Sequence, residues 1–180
     1  MKIKLETQRL SLIPFERNDL HLLYETFTNH FVRKFLWDDE IITVDQTSNI
    51  LELNESVFDS EGWGLWKIIV KNGQAFAGFV GLWRFFDEGQ PQLLFGLMPA
   101  KTGLGYATEA SAAIVDYAFN ELGYTFIVAS FDSPNVASEK VCRRLKMKKM
   151  EDRVINNKST SFYRIEKDKR IFSGDLTVER

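Results

Sequence analysis

The sequence predicts a single α/β domain in which a mixed, mostly antiparallel sheet is flanked by about four helices. An apolar strand that begins at Gln92 passes through a glycine loop directly into an alanine-rich helix that ends near Leu122. Residues 125–131 form a second apolar strand, which the helical crossover allows to run parallel to the first. Asn72-Gly73 separates two further apolar runs and is a strong signal for an antiparallel hairpin. These three observations favour the α/β class.

The elements before the glycine loop follow from periodicity and turn residues. They are a strand at 9–15, a helix at 16–28, a helix from 43 or 45 to about 58, and strands at 64–71 and 74–86. Asn18 or Asp19 is expected to cap the first helix, and Thr43 or Asp45 the second. A turn at 87–91 leads to the strand before the loop.

The elements after the loop are predicted in the same way, as a helix at 105–122, a strand at 125–131, a helix at 134–145, and strands at 148–155 and 160–167. Asp132 or Ser133 is expected to cap the later helix, with Pro134 in its first turn. Asn156-Asn157 predicts a hairpin between the last two strands. We therefore expect a domain at residues 1–167, followed by a polar tail at 168–180 to which we assign no element.

The composition narrows the class of protein. A chain of 180 residues suits one domain with a full hydrophobic core. Its 25 acidic and 23 basic residues give a net charge of −2, whereas nucleic-acid-binding domains usually carry a basic excess. No apolar run approaches the length of a membrane span, and the amino-terminal residues lack the apolar segment of a signal peptide. We expect a protein without nucleic-acid or membrane partners.

Cysteine and histidine usage points the same way. The single cysteine, Cys142, excludes an internal disulfide and suits a reducing cytoplasm. The two histidines, His21 and His30, are too few and too poorly spaced for a zinc site. The sequence therefore predicts a cytoplasmic protein that holds no metal.

The glycine loop is the strongest candidate for a ligand site. Gly103 and Gly105 permit positive φ and let a ligand approach the backbone N–H groups. The first turn of the following helix offers unpaired N–H donors and the positive end of the helix dipole. Together these features suit a phosphate or pyrophosphate, and the alternative is an ordinary strand-to-helix turn.

Two nucleotide-binding motifs do not fit this loop. A Walker A loop requires Lys and Ser or Thr after its last glycine, but Tyr106 follows Gly105. A Rossmann fingerprint would need glycine at Thr108 and an acidic residue near Val128, where the sequence is apolar. Acyl-CoA binding is the third interpretation.

Residues 103–110, Gly-Leu-Gly-Tyr-Ala-Thr-Glu-Ala, resemble the pyrophosphate loop of the GCN5-related N-acetyltransferase (GNAT) superfamily. The resemblance is closest to the branch that acetylates N-terminal amines of ribosomal proteins, and it covers about residues 5–166. Thr102 stands where that family usually has Gln or Arg. Asn135 and Ser138 match the family's Asn-x-x-Ala/Ser pattern, while Lys146 and Met147 replace its common Gly and Phe.

The resemblance implies a sheet that splays between the strand ending at Met98 and the strand that starts at Thr125. The pantetheine arm of acetyl-CoA would lie in that gap against the backbone of Leu97 and Met98, with a backbone N–H near Leu97 polarising the thioester carbonyl. Asn135 would contact the same arm; the alternatives are that Asn135 caps the start of the helix and that Ser138 is a helix-surface hydroxyl. The pyrophosphate would lie on Gly103, Leu104, Gly105, Tyr106, Ala107 and Thr108.

The resemblance also implies roles in proton transfer. Many family members have a tyrosine at the position of Cys142, and in the similar branch the hydroxyl at the position of Ser138 is the suggested proton donor. We therefore predict Ser138 as the catalytic residue and Cys142 as a packing residue. The general base stays open, because Gln92 replaces a common glutamate and cannot accept a proton. The candidates are Glu16, Asp38, Glu40, Glu109 and water.

The segment at residues 29–42 combines aromatic and acidic side chains. Phe31, Trp37, Asp38 and Glu40 could bind a cationic amine acceptor, and the alternative is a core-packing turn with a solvated edge. A basic cluster beside the second motif could attract the 3′-phosphate of CoA or form a solvated helix face. It comprises Lys140, Arg143, Arg144, Lys146, Lys148 and Lys149.

The resemblance implies an acetyl-CoA-dependent N-acetyltransferase, working as a monomer or homodimer, that transfers an acetyl group directly to a primary amine. The acceptor could be a protein N-terminus or a small-molecule amine. A non-catalytic acyl-CoA-binding or regulatory domain is the alternative, because Gln92 and Cys142 replace expected proton-handling residues. A NAD(P)-binding domain is a more distant one.

Overall fold

The strands form two antiparallel sheets in the computed structural model, which describes residues 3–86, 89–167 and 176–179. The strands are β1 (Lys4–Glu6), β2 (Leu10–Pro14), β3 (Leu65–Val70), β4 (Ala75–Trp83), β5 (Gln92–Leu97), β6 (Phe126–Asp132), β7 (Lys148–Ile155), β8 (Lys158–Glu166) and β9 (Thr177–Glu179). The first sheet has the order β5-β4-β3-β2-β1-β9, and the second has the order β6-β8-β7.

The helices pack against these sheets and confirm the predicted α/β class. They are α1 (Leu20–Thr28), α2 (His30–Arg33), α3 (Val44–Glu61), α4 (Tyr106–Asn120) and α5 (Val136–Arg144). Short 3₁₀ turns lie at Arg17–Asp19, Trp37–Asp39 and Pro99–Lys101. The one-turn helix α2 is the addition to the four helices that the sequence predicts. In the described part of the chain, no helix is both long and apolar enough to cross a membrane.

Of the predicted caps of the first two helices, Thr43 makes a capping hydrogen bond and Asp19 does not. Thr43 caps α3, because its Oγ1 accepts a hydrogen bond from the Gln46 N–H at 3.1 Å and the Gln46 side chain accepts from the Thr43 N–H at 2.7 Å. Asp19 precedes α1 but makes no capping bond. Its carboxylate instead accepts from Lys67 Nζ at 2.7 and 2.8 Å, which ties the start of α1 to β3.

The predicted start of α5 was wrong. The helix begins at Val136, and Asn135 caps it by accepting the Ser138 N–H at 3.1 Å. Asp132 cannot serve as the cap because it ends β6, and its carbonyl accepts the Asn135 N–H at 2.8 Å across a turn. Pro134 therefore lies before the helix.

Both predicted hairpins are present. Asn72-Gly73 lies within a four-residue turn, since Val70 pairs with Ala75. Asn156 and Asn157 form a two-residue turn with φ of 48° and 61°, the conformation that suits the twist of β7 and β8.

The carboxyl-terminal residues that the structure describes add an edge strand. Within the predicted tail, β9 pairs with β1, with Val178 opposite Leu5. Residues 168–175 and 180 of that tail, and 87–88 of the predicted turn, lie outside the described residues.

The two sheets meet at β5 and β6. Among residues 3–86, 89–167 and 176–179 no backbone ladder joins these strands. Side chains connect them instead, because Gln90 Nε2 donates to the Phe126 carbonyl at 2.9 Å and Ser130 Oγ donates to Gln92 Oε1 at 2.6 Å. Because the later residue of one segment contacts the later residue of the other, β5 and β6 run parallel to each other. Beyond Gln92, which is 1% exposed, the strands separate, and this separation is the predicted splay.

The buried Asn54 joins α3 to β3 and to the end of β2. Its amide donates to the Phe15 carbonyl at 3.0 Å, and its Oδ1 accepts the Leu65 N–H at 2.7 Å. We expect Asn54→Ala to lower the free energy of unfolding by about 2–4 kcal/mol, because it leaves buried backbone groups unpaired. Asn49→Ala is the matched control on an exposed position of the same helix and should stay within about 0.5 kcal/mol of wild type. Urea denaturation measures both, and equal values for the two variants would contradict this role.

Candidate active site

A cavity of about 510 Å³ occupies the gap between β5 and β6. Its walls are formed by these two strands, by the loop and first turn of α4, by the start of α5 and by one face of the segment around α2. The predicted site residues on its wall are Phe31, Leu97, Gly103, Gly105, Ala107, Thr108, Asn135 and Ser138. The structure therefore brings both sequence motifs to one cavity.

The edge of β5 presents backbone groups to this cavity. Met98 N–H donates to the Ala77 carbonyl at 2.9 Å, on the β4 side of the strand. Because bonded and non-bonded positions alternate in an antiparallel ladder, the N–H and C=O groups of Leu97 and Phe95 point away from β4 toward the gap. The Met98 carbonyl is also engaged, since it accepts from the Lys101 N–H at 2.9 Å. Of the two residues expected to offer free backbone groups, only Leu97 does so, because both backbone groups of Met98 are already hydrogen-bonded. Phe95 offers a second free position on the same edge.

The glycine loop has the conformation that the sequence suggests. Gly103 and Gly105 have φ of 76° and 83°, and Gly105 caps α4 without any side-chain bond. The N–H groups of the first helical turn, from Tyr106 to Thr108, therefore point out of the helix end. The Thr108 hydroxyl is buried and has no hydrogen-bond partner within the described residues. A polar atom of this kind on a cavity wall fits an oxygen-rich ligand.

Glu109 fixes the loop from behind. Its carboxylate accepts hydrogen bonds from Thr7 Oγ1 at 2.7 Å, from the Arg9 N–H at 2.9 Å and from Arg9 Nε at 2.6 Å. Arg9 also donates to the Leu104 carbonyl at 2.9 Å and lies over the Tyr106 ring at 4.9 Å. Leu104 and the Tyr106 side chain thus lie on this outer side of the loop.

Glu109 is consequently a poor candidate for the general base. Burial alone would raise the pKa of Glu109, but the hydrogen bonds from Thr7 and Arg9 outweigh it and hold this pKa below its ordinary value. Both oxygens are occupied, and the side chain is only 12% exposed. Its role is to position the loop.

The start of α5 supplies side chains to the opposite wall. Asn135 uses its Oδ1 as the helix cap, which leaves its amide N–H₂ as the donor at the cavity. The Ser138 side chain follows on the same wall. Cys142 is a core residue with 0% exposure, as predicted, and burial raises the pKa of its thiol to about 12. It does not reach the cavity.

Two of the six residues of the basic cluster, Lys140 and Arg144, line the cavity, one turn apart on α5. Arg143 is paired with Glu139 at 2.7 Å, and Lys149 is paired with Asp152 at 2.8 Å. Lys146 and Lys148 are exposed and, like these two, do not line the cavity.

The aromatic and acidic segment is only partly at the cavity. Phe31 lies on the wall and is 53% exposed, but Trp37, Asp38 and Glu40 do not line it. Trp37 packs on Phe27 with ring centroids 5.9 Å apart, and the Asp38 carboxylate binds Lys158 Nζ at 2.9 Å. Val32, Phe35 and Leu36 of the same predicted segment complete this wall with Phe31. Sequence reasoning placed these apolar residues in the segment but did not single them out as acceptor-binding residues.

A further acidic residue near the cavity, Asp132, was predicted only as a helix cap and not as a site residue. Asp132 ends β6 directly after Phe131, which lines the cavity, and its Oδ2 lies 4.0 Å from Lys158 Nζ. Burial raises the pKa of Asp132, while Lys158 lowers it and Asp38 raises it further. The described residues contain no cluster of His, Cys, Asp and Glu that could hold a metal ion.

Comparison with known proteins gives a consistent result. The family model of the acetyltransferase (GNAT) domain matches residues 9–148. The chain is similar to the uncharacterized N-acetyltransferase YnaD of Bacillus subtilis, with 23% identity over 143 residues that cover 79% of this chain and 81% of YnaD.

Two solved structures have similar folds. The ribosomal-protein-S5-alanine acetyltransferase of Vibrio fischeri has a TM-score of 0.75 and 16% identity, covering 92% of this chain and 97% of that one. The spermidine N-acetyltransferase of Vibrio cholerae, in complex with CoA and spermine, has a TM-score of 0.74 and 17% identity, covering 91% and 99%.

The Glu109 contacts predict a pH dependence of stability. Because the pKa of Glu109 is lower in the folded protein than in the unfolded chain, its stabilisation is complete above about pH 4.3 and is lost as the pH falls through the folded value. We expect Glu109→Gln to cost about 1–3 kcal/mol at neutral pH and to flatten the acid limb of the stability curve. Urea denaturation from pH 3 to pH 7 measures both effects. The exposed Glu52→Gln is the control and should keep the wild-type slope, and an unchanged slope in Glu109→Gln would refute this assignment.

Proposed function

The chain belongs to the acetyltransferase (GNAT) domain family and is an acetyltransferase, and from this premise we propose that it transfers the acetyl group of acetyl-CoA directly to a primary amine. The observation that carries the proposal is the gap between β5 and β6, which runs from a free strand edge to a glycine loop and a helix N-terminus. The single cysteine, Cys142, which is buried and free, supports action in a reducing cytoplasm.

The cofactor would lie along this gap. The pyrophosphate fits the first-turn N–H groups of α4 between Gly103 and Thr108, where the dipole favours negative charge. The Thr108 hydroxyl supplies a further hydrogen bond. Lys140 and Arg144 suit the 3′-phosphate, and the pantetheine amides pair with the Leu97 backbone and with the Asn135 amide.

Catalysis would then depend on positioning and on polarisation of the thioester. A backbone N–H of β5 at Leu97 or Phe95 donates to the thioester oxygen as negative charge develops there. The amine nitrogen forms a bond to the carbonyl carbon, the C–S bond breaks, and the departing thiolate takes a proton from the Ser138 hydroxyl, which regains a proton from the water that accepts the amine proton. The amine loses its own proton to water, because an α-amine titrates near neutral pH.

Either a protein N-terminus or a small-molecule amine remains a candidate acceptor. The apolar wall formed by Phe31, Val32, Phe35 and Leu36 is the proposed entrance for the amine. Among proteins of similar fold, one carries a name that specifies a ribosomal protein and another a name that specifies spermidine.

Turnover of acetyl-CoA against a panel of amines tests this function. The panel contains short peptides, free amino acids, polyamines and aminoglycosides, and thiol release is measured together with acetylated product. We expect release that depends on one class of amine. Tight binding of acetyl-CoA by calorimetry with no turnover for any amine would support the alternative, a non-catalytic acyl-CoA-binding domain.

The chain offers a matched pair of glycines to test the phosphate site. Gly103 and Gly123 both have φ of 76°, and a side chain at either position would enter open space. Gly103→Glu should weaken CoA binding by about tenfold or more, because it places a negative charge beside the pyrophosphate. Gly123→Glu carries the same backbone strain and charge at the far end of α4 and should bind as wild type does. Equal affinities for the two variants in calorimetry would exclude the loop as the phosphate site.

Ser138 and Cys142 provide the test of the proton donor. Ser138→Ala should lower kcat by about 10²–10⁴-fold with little change in acetyl-CoA affinity, because the lost interaction forms in the transition state. Cys142→Ala should keep kcat while losing some stability as a packing defect. Steady-state kinetics and calorimetry separate the two effects. The donor would be reassigned to Cys142 if Ser138→Ala retained kcat and Cys142→Ala lost it.

A further inference from the structure

A second cavity, of about 420 Å³, lies on the face of the three-stranded sheet that carries the even-numbered residues of β6. We call it the arginine groove. Its lining residues are Gly89, Gln90, Gln92, Phe126, Val128, Met150, Glu151, Arg153, Phe162 and Arg164.

The arginine groove adjoins the proposed active site. Gln92 lines the groove, Ser130 lines the active-site cavity, and the hydrogen bond between these two side chains, at 2.6 Å, lies between the two cavities. An acceptor whose amine reaches the thioester beside Ser130 would have to cross this pair to extend along β6 into the groove.

Arg164 is arranged to bind an anion there. Its guanidinium lies 3.7 Å from the centroid of the Phe126 ring, which fixes the plane of the group. Nε is paired with the exposed Glu166 at 2.6 Å. Within the described residues neither Nη of Arg164 has a hydrogen-bond or ion-pair partner. These N–H groups can therefore donate to a carboxylate.

The second arginine of the groove is also paired with a carboxylate. Arg153 lies 4.5 Å from the centroid of the Phe162 ring, and its Nε donates to Glu151 at 2.9 Å. Each of the two arginines thus has a carboxylate partner, and the preference for an anion depends on the Nη donors of Arg164.

The strand geometry sets the spacing between amine and anion. Phe126 precedes Ser130 by four residues on β6, which corresponds to about 13 Å along an extended strand. An extended peptide spans about 3.3–3.6 Å per residue, so the third and fourth residues lie about 7–11 Å from the first, and an acidic side chain covers the remaining distance.

We propose that the acceptor is a peptide N-terminus that carries an acidic side chain at its third or fourth residue, bound by Arg164. This inference rests on the proposed N-acetyltransferase function and specifies the acceptor of that same site. Arg164 is then a specificity-determining residue.

Carboxy-amidated tetrapeptides test the proposal with the full-length protein. The series places Glu at position two, three or four of an alanine peptide, and each member is compared with its Gln counterpart. We expect the KM of wild type to be about ten- to a hundredfold lower for Glu than for Gln at position three or four, with similar kcat. Arg164→Gln should abolish this difference, and Arg164→Lys should retain part of it. Arg17→Gln, which removes an exposed and glutamate-paired arginine elsewhere, should leave it intact.

The outcomes separate this inference from the proposed function. Equal KM values for Glu and Gln peptides in wild type, or a preference that survives Arg164→Gln, would overturn it. If small amines are acetylated but no peptide is, the acceptor class is wrong and the N-acetyltransferase function stands. If neither is acetylated while acetyl-CoA binds, both fail. Should Arg164→Gln not fold, the wild-type comparison and Arg164→Lys still decide.

Discussion

The interrupted joint between β5 and β6 is the constraint on which the rest of the structure depends. A buried strand edge leaves N–H and C=O groups that require partners, and the interior of a domain normally does not tolerate them. Here the Gln92–Ser130 hydrogen bond closes the joint at one end, so the strands diverge beyond it. The edge at Phe95 and Leu97 then faces a cavity instead of a neighbouring strand. In the proposed function, the amide groups of pantetheine supply the missing partners.

The sequence predicted the elements whose signals are local. The glycine loop, the start of α4, the Thr43 cap and the two hairpins depend on residues within one turn of each other, and the structure has all of them. The cap of α5 was mispredicted because Asp132, Ser133 and Asn135 are all good capping residues. The choice among them depends on where β6 ends, which is a tertiary property. The strands β1 and β9 were not predicted because three residues carry too weak an alternation.

The site residues divide along the same line. Motif residues such as Gly103 and Asn135 lie on the cavity wall, and Cys142 is buried as expected. Asp38 does not lie on the wall, because it is paired with Lys158 of β8, which sequence spacing does not place beside it. Arg164 and Asp132 were missed because their positions follow from the register of β6 against β8. Whether charged residues that are distant in sequence lie close together can be predicted only when the strand pairing is known.

The contact between the amino-terminal segment and Glu109 has a consequence for how this protein is made. It joins Arg9 to Glu109 across a chain segment of 100 residues, so it raises the contact order of the fold. During synthesis, residues 7–9 emerge well before Glu109, and the glycine loop acquires this support only after the amino-terminal strands have docked. If acetyl-CoA binds the loop as proposed, it binds the completed domain and not its precursors. By mass action, the coenzyme would then favour the finished fold over states that chaperones and proteases bind.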